Sequence, residues 1–213
     1  AIVKCNESRQ LLREIYSLRE SSPPRLSGVE AHYLNLAHLL SPKDEIIKEL
    51  KRVLENIKNR PGLEVNNTVR VMVVGSELHN VNIMKAIEAE KITVVTDDLC
   101  VGTRNIWDDV ETEGDPVVNI ARRYLTRIRC PVKHPSSESR FPHIENLIHR
   151  FNVAGVVLIH QKFCGPHEWQ RPRLEAMLKG LGIPFTFIET DAVISEGQIS
   201  ARVSALKEII QNK

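Results

Sequence analysis

Two cysteines stand where a strand gives way to a loop. Cys164 closes a segment in which Val156 to Ile159 form a short apolar run, and Gly165, Pro166, His167 and Glu168 then open a helix. Cys100 closes a second β-branched run, Ile92 to Thr96, after Asp97 and Asp98 and before Gly102 and Arg104. In an open parallel sheet, ligands gather beyond the carboxyl ends of the strands, and a thiolate delivered there serves as a metal ligand or a nucleophile. The pair points to metal or redox chemistry.

Each thiol also has a plainer reading. Cys164 precedes a helix start, where the macrodipole favours a thiolate, although buried inert cysteines are common. Asp97 and Asp98 disfavour a thiolate at Cys100 unless Arg104 or a metal compensates; alternatively the two acids cap a turn and Cys100 packs beneath it. Cys130 sits among Arg127, Arg129 and Lys133, which would activate it, or it simply packs after a helix end. Cys5 is read as a residue of a frayed terminus with no role. An iron–sulfur site built from Cys100, Cys130 and Cys164 competes with a zinc site built from His160, Cys164 and His167, and no CxxC spacing decides between them. Gly75 and Ser76 end a strand, and the loop to Asn80 offers backbone N–H groups for an anion such as a phosphate of coenzyme A, or is only a turn.

Other chemistries are excluded. GxGxxG, GxxxxGK[ST] and GxSxG are all missing, which removes dinucleotide, P-loop and nucleophile-elbow readings. A formal net charge of +2 and 5% aromatic residues give no electrostatic footprint for nucleic acid and few stacking platforms. No apolar stretch reaches the length of a membrane span, so no membrane contact is expected. A cytoplasmic location and free thiols follow from the cysteine usage and the absence of a signal segment.

The elements that position these residues can be read from periodicity. Leu11, Leu12, Ile15 and Leu18 recur at helical spacing until Pro23 and Pro24 interrupt them. Ser27 with Glu30 is a capping box for a second helix, and Pro42 with Asp44 and Glu45 starts a third, whose apolar face carries Ile46, Ile47, Leu50, Leu54 and Ile57. After Gly62 strands take over: Val69 to Val74, Ile92 to Thr96, Val156 to Ile159 and Phe185 to Glu189. Helices carrying Val81 to Ala89, Val118 to Leu125, Phe141 to Phe151, Leu174 to Leu178 and Ser200 to Ile210 lie between and after them. Alternation of this kind implies right-handed crossovers and a parallel sheet covered on both faces. The expected fold class is α/β, a helical arm at residues 1–62 followed by a four-stranded Rossmann-like or flavodoxin-like domain at residues 63–213.

An ordered series of segments resembles one family. It runs from Val94 to Arg104, through Asp115-Pro116 and Ile120 to Leu125, then Phe151 to Val157, Phe163-Cys164, Gly182 to Pro184, Glu189 to Asp191 and Gly197 to Arg202. It is similar to the carboxyl-terminal half of subunits of the 2-hydroxyacyl-CoA dehydratase and benzoyl-CoA reductase family, and Leu18 to Glu20 and Leu26 to Glu30 resemble that family's connecting segment. The resemblance implies a second related subunit forming a heterodimer, a separate ATP-dependent activator protein that injects a low-potential electron, and an acyl-CoA substrate. In the dehydratases the electron enters the thioester carbonyl and the resulting ketyl radical anion expels a hydroxyl; in the reductases it reduces an aromatic ring. The resemblance also implies a 4Fe–4S cluster, with Cys164 at the position of a carboxyl-half ligand and Cys100 and Cys130 as further metal candidates. The family's other ligands lie mainly in an amino-terminal half, so this chain is read as a piece of a longer protein that holds no cluster and is inactive in isolation. The competing reading is a non-catalytic flavodoxin-like binding or regulatory module.

Overall fold

A computed structural model describes residues 1–63, 68–127, 130–133, 137–191 and 196–213. Four strands, β1 (Val69–Gly75), β2 (Ile92–Asp98), β3 (Gly155–Gln161) and β4 (Phe185–Thr190), form one parallel sheet in the order β2-β1-β3-β4. The expected α/β class and sheet are what the structure shows. Each strand runs one to three residues beyond its apolar stretch, because backbone pairing continues after the side chains turn polar: His160 pairs with Glu189 and Gln161 with Thr190.

Side chains alternate across the sheet as the pleat demands. Val71 and Val73 join the face covered by α4 (Val81–Glu88) and α9 (Glu196–Gln211), through Ile83, Met84, Ile87, Ile199, Val203 and Leu206. Met72 and Val74 join the opposite face, covered by α7 (Ser137–Arg150) and α8 (Gly165–Gly180), through Ile144, Leu147, Ile148, Leu174 and Leu178. Strand order reverses between β1 and β3, and such a switch point leaves a crevice at the carboxyl ends of the strands. Gly75 makes the two strands' close approach possible there, since a Cβ on it would lie 1.8 Å from the Ile159 carbonyl oxygen.

Three helices precede the sheet: α1 (Ile2–Ser17), α2 (Gly28–Leu40) and α3 (Lys43–Asn59). The amino end around Cys5 is therefore helical, not frayed. Ser27 and Glu30 close the capping box: the Ser27 hydroxyl accepts from the Glu30 N–H at 3.1 Å, and the Ser27 N–H donates to the Glu30 carboxylate at 2.9 Å. The helices share an apolar cluster that includes Leu12, Ile15, Leu26, Leu50, Leu54 and also Ile106, from the short helix α5 (Thr103–Ile106) that follows β2. They are tied to the sheet as well. Glu88 accepts from the N–H groups of Gly28, Val29 and Val94, and Tyr16 donates to Asp97 at 2.6 Å. The remaining helix, α6 (Pro116–Thr126), is capped by Asp115, which accepts from Val117 and Val118 at 2.8 and 3.0 Å. Among the described residues no helix is long and apolar enough to cross a membrane.

Candidate functional site

The carboxyl ends of β1, β2 and β3 converge on a buried charge network. Asp98, the last residue of β2, is fully buried, and its carboxylate lies 2.7 Å from Arg140 Nε and 3.3 Å from Arg104 Nε. Burial alone would raise the Asp98 carboxyl, but the Arg104 and Arg140 guanidinium groups outweigh it and hold the group at about 2. Arg140 also donates to Gln170 on α8, while Arg104 donates to the carbonyl oxygens of Gly75 and Asp98. One guanidinium thereby fastens the end of β1 to the end of β2.

Asp97 shapes the loop that carries Cys100. Its carboxylate accepts from the Thr103 N–H at 2.9 Å, and its carbonyl accepts from the Thr103 hydroxyl at 2.5 Å. A side chain at Gly102 would collide with that carboxylate, its Cβ 1.8 Å from Asp97 Oδ1. The two acids thus divide the work: Asp97 caps the turn, and Asp98 pairs with arginines. Cys100 is exposed above the turn, not packed beneath it.

Cys130, from the segment after α6, comes to Cys100 across thirty positions of sequence, and both meet His167 of α8. The ligand atoms of Cys100, Cys130 and His167 all lie within 4.8 Å of one another. A hydrogen bond with Cys130, together with desolvation of the sulfur by the protein around it, pushes the Cys100 thiol up although the residue as a whole is exposed. Cys130 is its counterpart: hydrogen bonds from Cys100 and then from His167 pull it well below the ordinary thiol range. Burial lowers the pKa of His167, which is 2% exposed, against the opposing pull of Cys130. Arg104 supplies the positive charge, with Nη2 3.5 Å from Cys100 Sγ and Nη1 3.5 Å from His167 Nε2. The cations next to Cys130 in sequence are otherwise engaged. Arg127 lies over the Tyr124 ring, Lys133 donates to the Tyr124 carbonyl, and Arg129 lies outside the described residues.

Cys164 takes a different place. It is the N-cap of α8, half-buried, and its carbonyl accepts from the His167 N–H at 3.1 Å. A cleft beside it is lined by His160, Lys162, Glu168, Arg171 and Glu189, with no second cysteine among the described residues. Phe163, one of its lining residues, is 97% exposed, and Trp169 on α8 is 87% exposed. Phe163 has φ of 69°, a left-handed conformation that aromatic residues rarely adopt and that turns the chain sharply out of β3 into the helix. The zinc set His160, Cys164, His167 is not assembled. His160 is buried edge-on to His167 and Phe187, with ring centroids 5.6 and 5.0 Å away, and its burial holds it at about 4.

Gly75 and Ser76 face β3. The Ser76 N–H donates to the Ile159 carbonyl at 3.2 Å, and its hydroxyl accepts from the Gln161 N–H at 2.9 Å. The loop beyond them, Glu77 to Asn80, borders a small cleft with Gln161, Thr190 and Asp191.

Sequence reasoning missed Arg140 altogether. It did carry a signal: Arg140 shares the helical face of Ile144, Leu147 and Phe151, and a charge on an otherwise apolar face implies a buried counter-charge.

Comparison with known proteins gives this geometry a family. The model describing the 2-hydroxyglutaryl-CoA dehydratase D-component matches residues 1–210. The beta subunit of the lactoyl-CoA dehydratase of Anaerotignum propionicum is 25% identical over 207 residues, covering 96% of this chain and 55% of the relative. One of the subunits of the benzoyl-CoA reductase of Thauera aromatica is 27% identical over 184 residues, 84% of this chain and 47% of the relative. The beta subunit of the (R)-2-hydroxyglutaryl-CoA dehydratase of Acidaminococcus fermentans is 24% identical over 214 residues, 98% and 56%. The chain thus spans about half the length of the curated relatives it matches. These relatives carry the names of enzyme subunits, which favours the enzyme reading over the binding module. Matched along nearly its whole length by that model, the chain belongs to the family of the 2-hydroxyglutaryl-CoA dehydratase D-component.

Proposed function

We propose that the chain forms part of a subunit of an acyl-CoA dehydratase, or of the related ATP-dependent reductase of aromatic acyl-CoA, and that Cys164 is its ligand to a 4Fe–4S cluster. Family membership and the relatives' names support the reaction class. The observation that carries the assignment is the position of Cys164, at the switch-point rim of the sheet, N-capping α8 and bordering an open cleft. The donor set fits one ligand of a cluster: among the described residues the cleft offers a single thiol, so the remaining ligands come from polypeptide outside these residues. When bound, the cluster would supply a low-potential electron to the acyl-CoA substrate. The chain's own contribution is to orient Cys164 through the turn at Phe163 and the first turn of α8, and to present Lys162 and Arg171 as cations beside it. Cys100 and Cys130, the other metal candidates, lie together with His167.

The same reading includes a second, related subunit, an ATP-dependent activator and a cytoplasmic location. It keeps the division into residues 1–62 and 63–213. An anion contact of the coenzyme A moiety at Gly75 and Ser76 would be made by the loop that follows them, because Ser76's own groups bind β3. Alone, the chain is expected to turn over nothing.

The test is anaerobic reconstitution, with iron and sulfide, of the chain assembled with its partner polypeptides. The assembly should show broad visible absorption and acyl-CoA turnover once an activator and ATP are added, and Cys164→Ser should abolish both. Unchanged absorption and turnover in that variant would overturn the assignment.

A further inference from the structure

We propose that Cys100, Cys130 and His167 bind a single divalent metal ion of the zinc class, at a site separate from the cluster position at Cys164. Three elements that are distant in sequence deliver the ligands: the loop after β2, the segment after α6 and the first turn of α8. Their sulfur and nitrogen atoms lie within 4.8 Å of one another. Tetrahedral zinc, with Zn–S about 2.3 Å and Zn–N about 2.0 Å, requires ligand atoms roughly 3.5–3.8 Å apart, which fits inside that limit. Two thiolates and a neutral imidazole cancel the ion's charge, and soft sulfur donors select zinc over calcium or magnesium.

The surroundings match what such sites need. Arg104 reaches Cys100 Sγ and is itself held by Asp98, the kind of outer-shell contact that orients a thiolate. Cys100 is exposed, which provides both an entry path and an open fourth position, whereas His167 is buried and fixed by α8. The competing arrangement has no metal: the guanidinium of Arg104, 3.5 Å from both Cys100 Sγ and His167 Nε2, then supplies the positive charge by itself. The proposal does not depend on the cluster reading, since Cys164 supplies none of the three ligands.

Cobalt serves as the spectroscopic probe. The full chain, purified anaerobically, stripped with a chelator and titrated with Co²⁺, should develop visible d–d bands and near-ultraviolet thiolate-to-cobalt charge transfer that saturate at one equivalent and disappear when Zn²⁺ is added. Cys100→Ser, at an exposed position, should weaken cobalt binding by more than the roughly 10- to 100-fold typical of an outer-shell loss. Cys130→Ser should do the same, with far-ultraviolet circular dichroism reporting its fold. Cys164→Ser should leave the cobalt spectrum intact, so failure of the cluster assignment and failure of this one are distinguishable. The proposal is overturned if the unsubstituted chain gives no charge-transfer band, if Cys100→Ser binds cobalt as tightly as the unsubstituted chain with an unreduced band, or if Cys164→Ser removes the band.

Discussion

Asp98 is fully buried between two guanidinium groups, and its replacement tests the network directly. Asp98→Asn leaves Arg104 and Arg140 buried without a counter-charge, and loss of one partner from such a pair costs about 3–5 kcal/mol. Urea denaturation of the two chains should show that difference, and a change below about 1 kcal/mol would mean that the arginines find other partners. His38 in α2 offers a second test, through pH. Its burial, reinforced by Lys43 and Arg9, lowers its pKa from 6.5 to about 4, so the folded chain prefers neutral imidazole. Its contribution is therefore complete above pH 6.5 and lost as pH falls from there toward 4, amounting to up to about 3 kcal/mol. In His38→Gln the stability curve over that interval should be flatter; an identical slope would show that another group carries the acid sensitivity.

Secondary structure was the legible scale. Four β-branched runs bounded by glycine, proline or acids gave the strands, and the cap at Ser27 announced α2, because both signals are local. Ser27→Ala should cost about 1 kcal/mol in a denaturation experiment. Gly75→Ala should cost more, because a methyl group 1.8 Å from a carbonyl oxygen forces β1 and β3 apart at their crossover point. If Gly75→Ala were tolerated as well as Ser27→Ala, the tight approach of these strands would not be needed. What stayed hidden was nonlocal. The approach of Cys130 to Cys100 depends on the path of the chain through α5, α6 and the segment beyond, and α5 has only four residues, too few for a periodic signal. His167 and Arg104 were recognisable as chemical residues, but their partners were set by how α8 docks on the sheet. The candidate site was thus half readable: the strand ends named Cys100 and Cys164, and tertiary packing chose the company each keeps.

At the scale of the whole molecule, the rim at Cys164 combines charged residues with Phe163, which, like Trp169 on α8, stands almost wholly in solvent. The proposed function has further polypeptide meeting this rim. Phe163→Ser should leave the chain's own stability within about 0.5 kcal/mol, as expected for an exposed side chain, while weakening its assembly with partner polypeptides on size-exclusion chromatography. Unaltered assembly would place the docking surface elsewhere. The first turn of α8 has a wider consequence. Its backbone holds the Cys164 carbonyl through the His167 amide, and the His167 side chain reaches the other sulfur pair, so a single turn of helix bears on both proposed coordination sites. If filling one of them shifts that turn, affinity at the other changes too, and linkage then makes the factor equal in both directions.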